Sequence, residues 1–145
     1  MKTMRQLRIF ALTIAGAVAI LAGCQSMAPL MGAQTVALSG ANEVPPVTTT
    51  ATGSATVLID ADRSVRVTVT VAGMTPTASH IHEGAAGANG PVIVPFTKTG
   101  DLTFASADGA KLTDAQYAAY KAGNLYINVH SAKNPGGEIR GQIKG

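Results

Sequence analysis

The chain has 145 residues, 46% of them hydrophobic and 13% charged, with one cysteine and no tryptophan. This length and apolar content fit one folded domain and exclude a chain disordered throughout, and a single thiol excludes an internal disulfide framework, a zinc ribbon and a CxxC redox pair. The formal charge of +3 raises nucleic acid as a partner only if the cations lie on the folded part, so their position matters more than their sum.

Lys2, Arg5 and Arg8 form a positive start, and Ile9 to Ala22 is an uncharged, mostly apolar stretch too short for a comfortable membrane span. Residues 1–23 therefore read as a signal peptide. Leu21-Ala22-Gly23-Cys24 resembles a bacterial lipobox. The resemblance implies cleavage before Cys24, diacylation of its thiol and acylation of the new amino group. Lipid contributes about 0.8 kcal/mol per buried methylene, so several acyl chains hold a protein on a membrane. Loss of residues 1–23 removes three of the eleven Lys and Arg and none of the eight acids, leaving a mature chain of zero net charge. No basic footprint remains for nucleic acid, and aromatic residues for stacking bases are scarce. Gln25 follows the cysteine in place of the aspartate associated with inner-membrane retention. The expected location is thus the outer membrane, facing the periplasm or the exterior. Residues 24–34 read as the lipidated cysteine and a tether, and 35–145 as the domain.

From Thr35 the chain reads as short strands separated by glycine, proline, asparagine and aspartate, the pattern of an all-β sandwich or barrel. Thr35 to Ser39 is the first expected strand, and Gly53 to Asp60 the second. Val65, Val67, Val69 and Val71 then alternate with polar residues, which predicts a hairpin with one face buried and one wet. Further strands are expected over Ala78 to Glu83, Pro91 to Thr97, Leu102 to Ala105, Leu125 to His130 and Glu138 to Lys144. One short helix is predicted from Asp114 to Ala122. Thr113 and Gln116 have capping-box spacing, Asp114 suits the positive end of the helix dipole, and Gly123 suits the position after the end. Its Ala115, Ala118 and Ala119 would let it lie close against a sheet.

Ala41-Asn-Glu-Val-Pro-Pro46, His80-Ile-His-Glu-Gly-Ala-Ala-Gly-Ala-Asn-Gly-Pro-Val92 and the run from Leu125 to Ile143 resemble, in order, the three signature blocks of the CHRD (chordin-type) domain. The resemblance covers about Thr35 to Lys144 and implies a Greek-key or immunoglobulin-like β-sandwich or barrel. In animals the domain occurs in chordin, an extracellular antagonist of bone morphogenetic proteins. Bacterial members are mostly single-domain secreted proteins or lipoproteins, so the resemblance implies fold more than activity.

The three histidines, His80, His82 and His130, all fall inside these blocks. Residues two apart on a strand share a face, so two imidazoles can converge on one ion. Ile81, Leu125, Ile127 and Val129 should face the core, leaving the histidines, Tyr126 and Asn128 on polar, solvent-accessible faces. If the two strands are neighbours, the imidazoles could meet within about 5 Å as a copper or zinc site, copper first. His80-Ile81-His82 and Gly136-Gly137-Glu138-Ile139 are also similar to parts of the copper/zinc superoxide dismutase sandwich. Three histidines cannot supply that enzyme's copper ligands together with its zinc loop, so dismutase activity does not follow. The alternative role of the histidines is to bond the loop Gly84 to Gly90 and hold strands in register.

Other chemistries find less support. Ser79 and Ser131 adjoin histidines in sequence, which sends the side chains to opposite faces of a strand. Glycines 84, 87 and 90 lack the lysine and the strand-to-helix setting of a phosphate loop. Glu83 and Glu138 cannot be placed as a facing glycosidase pair. Glu43, Asn89, Asn128, Glu138 and Arg140 are candidates for loop binding or support. Glu138 is expected to pair with Arg140 or a loop amide, and Arg140 to be a surface or strand-edge cation. The Pro45-Pro46 block suits either a stiff crossing or a surface for an envelope protein partner. The sum is a lipid-anchored, non-catalytic binding or structural module of the envelope, with a histidine-ligated copper or zinc protein open to redox chemistry as the alternative.

Overall fold

A computed structural model describes residues 32–145, so Cys24, the signal segment and most of the tether lie outside the described residues. The strands are β1 (Gln34–Ser39), β2 (Thr52–Ile59), β3 (Val65–Ala72), β4 (Pro76–Glu83), β5 (Val92–Gly100), β6 (Thr103–Ser106), β7 (Leu125–Ser131) and β8 (Ile139–Ile143), with helix α1 (Asp114–Lys121) between β6 and β7. They close into an antiparallel barrel in the order β1-β2-β3-β6-β5-β4-β7-β8. The β3–β4 and β6–β7 connections skip strands, which is Greek-key connectivity. Closure pairs every strand on both sides within residues 34–143, leaving no open sheet edge. That segment carries every barrel pairing and the whole apolar core cluster, which is what it needs to fold by itself.

The expected hairpin is β2–β3, in register from Thr52↔Ala72 to Ile59↔Val65. Along β3 burial alternates residue by residue, with the four valines inside and Arg66, Thr68 and Thr70 outside. Leu38, Val57, Ile81, Phe104 and Ile127 join them in one barrel core. Each such side chain contributes about 1.5–3 kcal/mol when fully buried.

Both halves of the predicted capping box form at Thr113 and Gln116, and Gly123 takes φ +75° just past the helix. The packing face differs from the expected one. Ala119 packs against the core as expected, but Ala115 and Ala118 are exposed, and Tyr117 and Tyr120 supply the rest of the packing face. Their rings reach the barrel from positions where a methyl group would not.

Candidate metal centre

β7 lies between β4 and β8, and the registers His82↔Tyr126↔Gln142 and His80↔Asn128↔Arg140 set these side chains in rows. Cross-strand partners share a face, so alternation does put the histidines, Tyr126, Asn128 and Arg140 on the outer side of the barrel. The expectation that this side is wet is overturned. His82, Tyr126, Asn128 and Arg140 are buried, while His80 and His130 are half-buried.

The cause is a roof of loops held down by side-chain hydrogen bonds. Arg140 donates to the carbonyls of Ala85 (3.1 Å) and Ala88 (2.8 Å) and to Asn89 Oδ1 (3.2 Å). Gln142 donates to Gly84 O at 2.9 Å. Asn89 reaches on to Val44 O at 2.7 Å, and Asn42 donates to Arg140 O at 3.1 Å, which ties down the proline block. Arg140 is therefore not a surface or strand-edge cation: it is 1% exposed. Nor does Glu138 pair with it. Glu138 accepts from Ser131 Oγ and from Thr49 Oγ1 (2.7 Å), and these hydroxyls lower its pKa. Ser79 donates to Asn128 O at 2.9 Å, so both serine hydroxyls are engaged away from any nucleophilic role.

Beneath the roof the three imidazoles converge, with one ligand nitrogen from each of His80, His82 and His130 within 4.8 Å of the others. The hydrogen bonds define the tautomers. A carbonyl only accepts, so His82 Nδ1 must donate to Gly90 O (2.9 Å) and His130 Nδ1 to Pro135 O (2.9 Å). Neutral His82 and His130 then carry bare Nε2 atoms. His80 Nδ1 lies 3.0 Å from His130 Nε2 and donates to it. His82 Nε2 is buried and, on the neutral ring, has no hydrogen-bond partner; nor has the buried Oδ1 of Asn128, the side chain that would accept from a protonated His82 and so raises its pKa. Two buried lone pairs without a donor are costly, at roughly 1–3 kcal/mol each. A proton on Nε2 would relieve it through Asn128 but is opposed by burial, which lowers the His82 pKa; a metal ion at Nε2 would relieve it as well.

Electrostatics keep these rings ready for a metal. Burial, then the neighbouring histidines, depress the His80 pKa to about 4. Burial likewise lowers His82, against the Gly90 carbonyl, which raises it. Metal ligands must be unprotonated. Two nitrogens 3.0 Å apart, each about 2.0 Å from one ion, subtend about 95° at it. An ordinary coordination edge therefore needs only the transfer of the His80 proton. The 4.8 Å limit exceeds the roughly 4 Å that opposite ligands span, so any ring at that limit closes by less than an ångström. The half-buried rims of His80 and His130 leave room for water as a further ligand.

Sequence reasoning missed two contributors. Tyr126 stacks on His82 with ring centroids 4.9 Å apart and 10° between planes, and the Arg140 guanidinium carbon lies 3.4 Å from its centroid. Gly90 accepts from His82 through its carbonyl, and its N–H donates to Tyr126 Oη at 3.1 Å. A Cβ at Gly90 would overlap the Glu83 carbonyl, so only glycine fits. Alternation placed Tyr126 on the correct face; the loop contacts had no local signal. Glu43, also buried, has its pKa raised to about 7 by desolvation, against the opposing pull of Arg140 and the Val44 N–H.

A family model described as CHRD domain matches residues 34–143. No curated protein and no solved structure gives a match.

Proposed function

The chain belongs to the CHRD-domain family, and on that premise we propose that it is a lipid-anchored, non-catalytic module of the cell envelope that binds a transition-metal ion through His80, His82 and His130, copper before zinc. The observation that carries the metal reading is the buried His82 Nε2, left without a partner among three imidazoles whose ligand atoms lie within 4.8 Å. An all-imidazole set suits copper and zinc, and divalent copper binds such donors more tightly than zinc. Water completes the shell in this reading. Titration of residues 34–145 with copper and with zinc, followed by calorimetry, tests it. One tight equivalent, lost in His82→Ala and in His80→Ala/His130→Ala, is expected. Equal binding by wild type and both variants, or none by any, would reduce the imidazoles to loop fasteners.

The anchor rests on the lipobox-like Leu21-Ala22-Gly23-Cys24 after an apolar stretch. Fatty-acid labelling and membrane fractionation of the full chain check it. Cys24→Ala should abolish labelling and release the protein from the membrane; unchanged labelling would refute the anchor. An outer-membrane position predicts that the labelled protein fractionates with that membrane.

A further inference from the structure

The metal reading leaves open which oxidation state of copper the site prefers, and the surroundings of His82 bear on that choice. β7 separates β4 from β8, so the Tyr126 ring stands between His82 on one neighbouring strand and Arg140 on the other. The distances are 4.9 Å from the tyrosine centroid to the imidazole centroid and 3.4 Å to the guanidinium carbon. Arg140 is 1% exposed, and among the described residues the ion pairs join Arg63 to Asp114, Arg66 to Asp60 and Lys111 to Asp62, with none at Arg140. Its guanidinium is held by two carbonyls and an amide oxygen, which satisfy hydrogen bonds without cancelling the charge.

Resting on the copper reading above, we propose that the stacked Arg140–Tyr126 pair biases the three-histidine site toward cuprous over cupric copper. Neutral imidazoles leave the bound ion its full charge, and the second charge of the cupric ion is repelled by a fixed cation under a dry roof. Glu43, the carboxyl that feels Arg140, holds its proton up to about pH 7 and offsets the cation only in part. Arg140 is thus a positioning residue for the loop and an electrostatic one for the ion.

The test uses residues 34–145 at about pH 6, where Glu43 is mostly protonated. Cuprous affinity is read by competition with a chromogenic cuprous chelator, and cupric affinity by competition with glycine. Arg140→Gln should lower the cuprous-to-cupric affinity ratio about tenfold, equivalent to about 59 mV for a one-electron couple. Arg140→Lys keeps the charge and should keep most of the ratio. Asn89→Asp keeps both Arg140 and an acceptor oxygen for it and adds a countercharge on an exposed loop residue, at the loss of the bond to Val44 O, which Asn89→Ala loses without adding charge. Asn89→Asp, read against Asn89→Ala, should lower the ratio several-fold even if Arg140→Gln fails to fold. Copper binding with ratios within about twofold across wild type and Asn89→Asp overturns the bias while leaving the metal site standing. Absence of copper binding in wild type overturns both.

Discussion

β3 and β7 carry the same alternation of apolar and polar side chains and end in different surroundings. In β3 every second residue is exposed, whereas in β7 all but His130 are buried. The difference lies in what each outer face offers. β3 presents Arg66, Thr68 and Thr70, which water satisfies. β7 and its neighbours present His82, Tyr126, Asn128 and Arg140, whose donors and planar rings bind loop carbonyls and one another. A polar strand face becomes a second interior when glycine-bearing loops can reach back to it.

If that contrast is right, substitutions should rank by which interior they enter. Ile127→Ala, in the apolar core at 0% exposure, should cost about 3–4 kcal/mol by urea unfolding. Arg140→Gln should cost about 2–3 kcal/mol, since loop acceptors and a stacked ring lose their cation, and should speed hydrogen exchange across residues 84–90. A cost below about 0.5 kcal/mol would mean that the roof does not stabilise the fold.

The polar interior should also leave a pH signature. Glu43 has a folded pKa of about 7 against 4.5, so the folded state keeps a proton that the unfolded chain gives up. Its contribution therefore falls as pH rises through that window. His80 is opposite: with a folded pKa of about 4 against 6.5, the unfolded chain takes the proton first, and stability falls as pH drops from 6.5 toward 4. Between 4.5 and 6.5 the two trends oppose each other. Glu43→Gln should expose the His80 slope and gain about 2 kcal/mol over wild type above pH 7, as measured by denaturation across pH. A variant with an unchanged pH profile would place the Glu43 carboxyl in water in both states. Smallest of all, Thr68→Ala on the wet face of β3 should change stability by no more than about 0.5 kcal/mol.

The same contrast explains what the sequence made legible. Period-two patterning predicted the β2–β3 hairpin and the inward Ile81, Ile127 and Val129, and capping-box spacing predicted the helix, because each depends on residues close in the chain. The patterning also put His80, His82 and His130 on polar faces, and the pairing of β4 with β7 brought them together. Burial of Arg140 was not legible, nor was the partnership of Glu138 with Ser131 and Thr49. These depend on loops that return from up to 55 residues away for Arg140 and 89 for Glu138. Hydroxyls within reach of Glu138, and carbonyls within reach of Arg140, removed the need for the two to pair.

The central claim is that the imidazoles under the roof are a metal centre, and the most direct measurement is anomalous diffraction at the copper edge from crystals of residues 34–145 grown with one equivalent of copper. The account predicts a single strong peak within bonding distance of one nitrogen each from His80, His82 and His130. Copper bound elsewhere, with the His80–His130 hydrogen bond intact and no peak among the three rings, would contradict it.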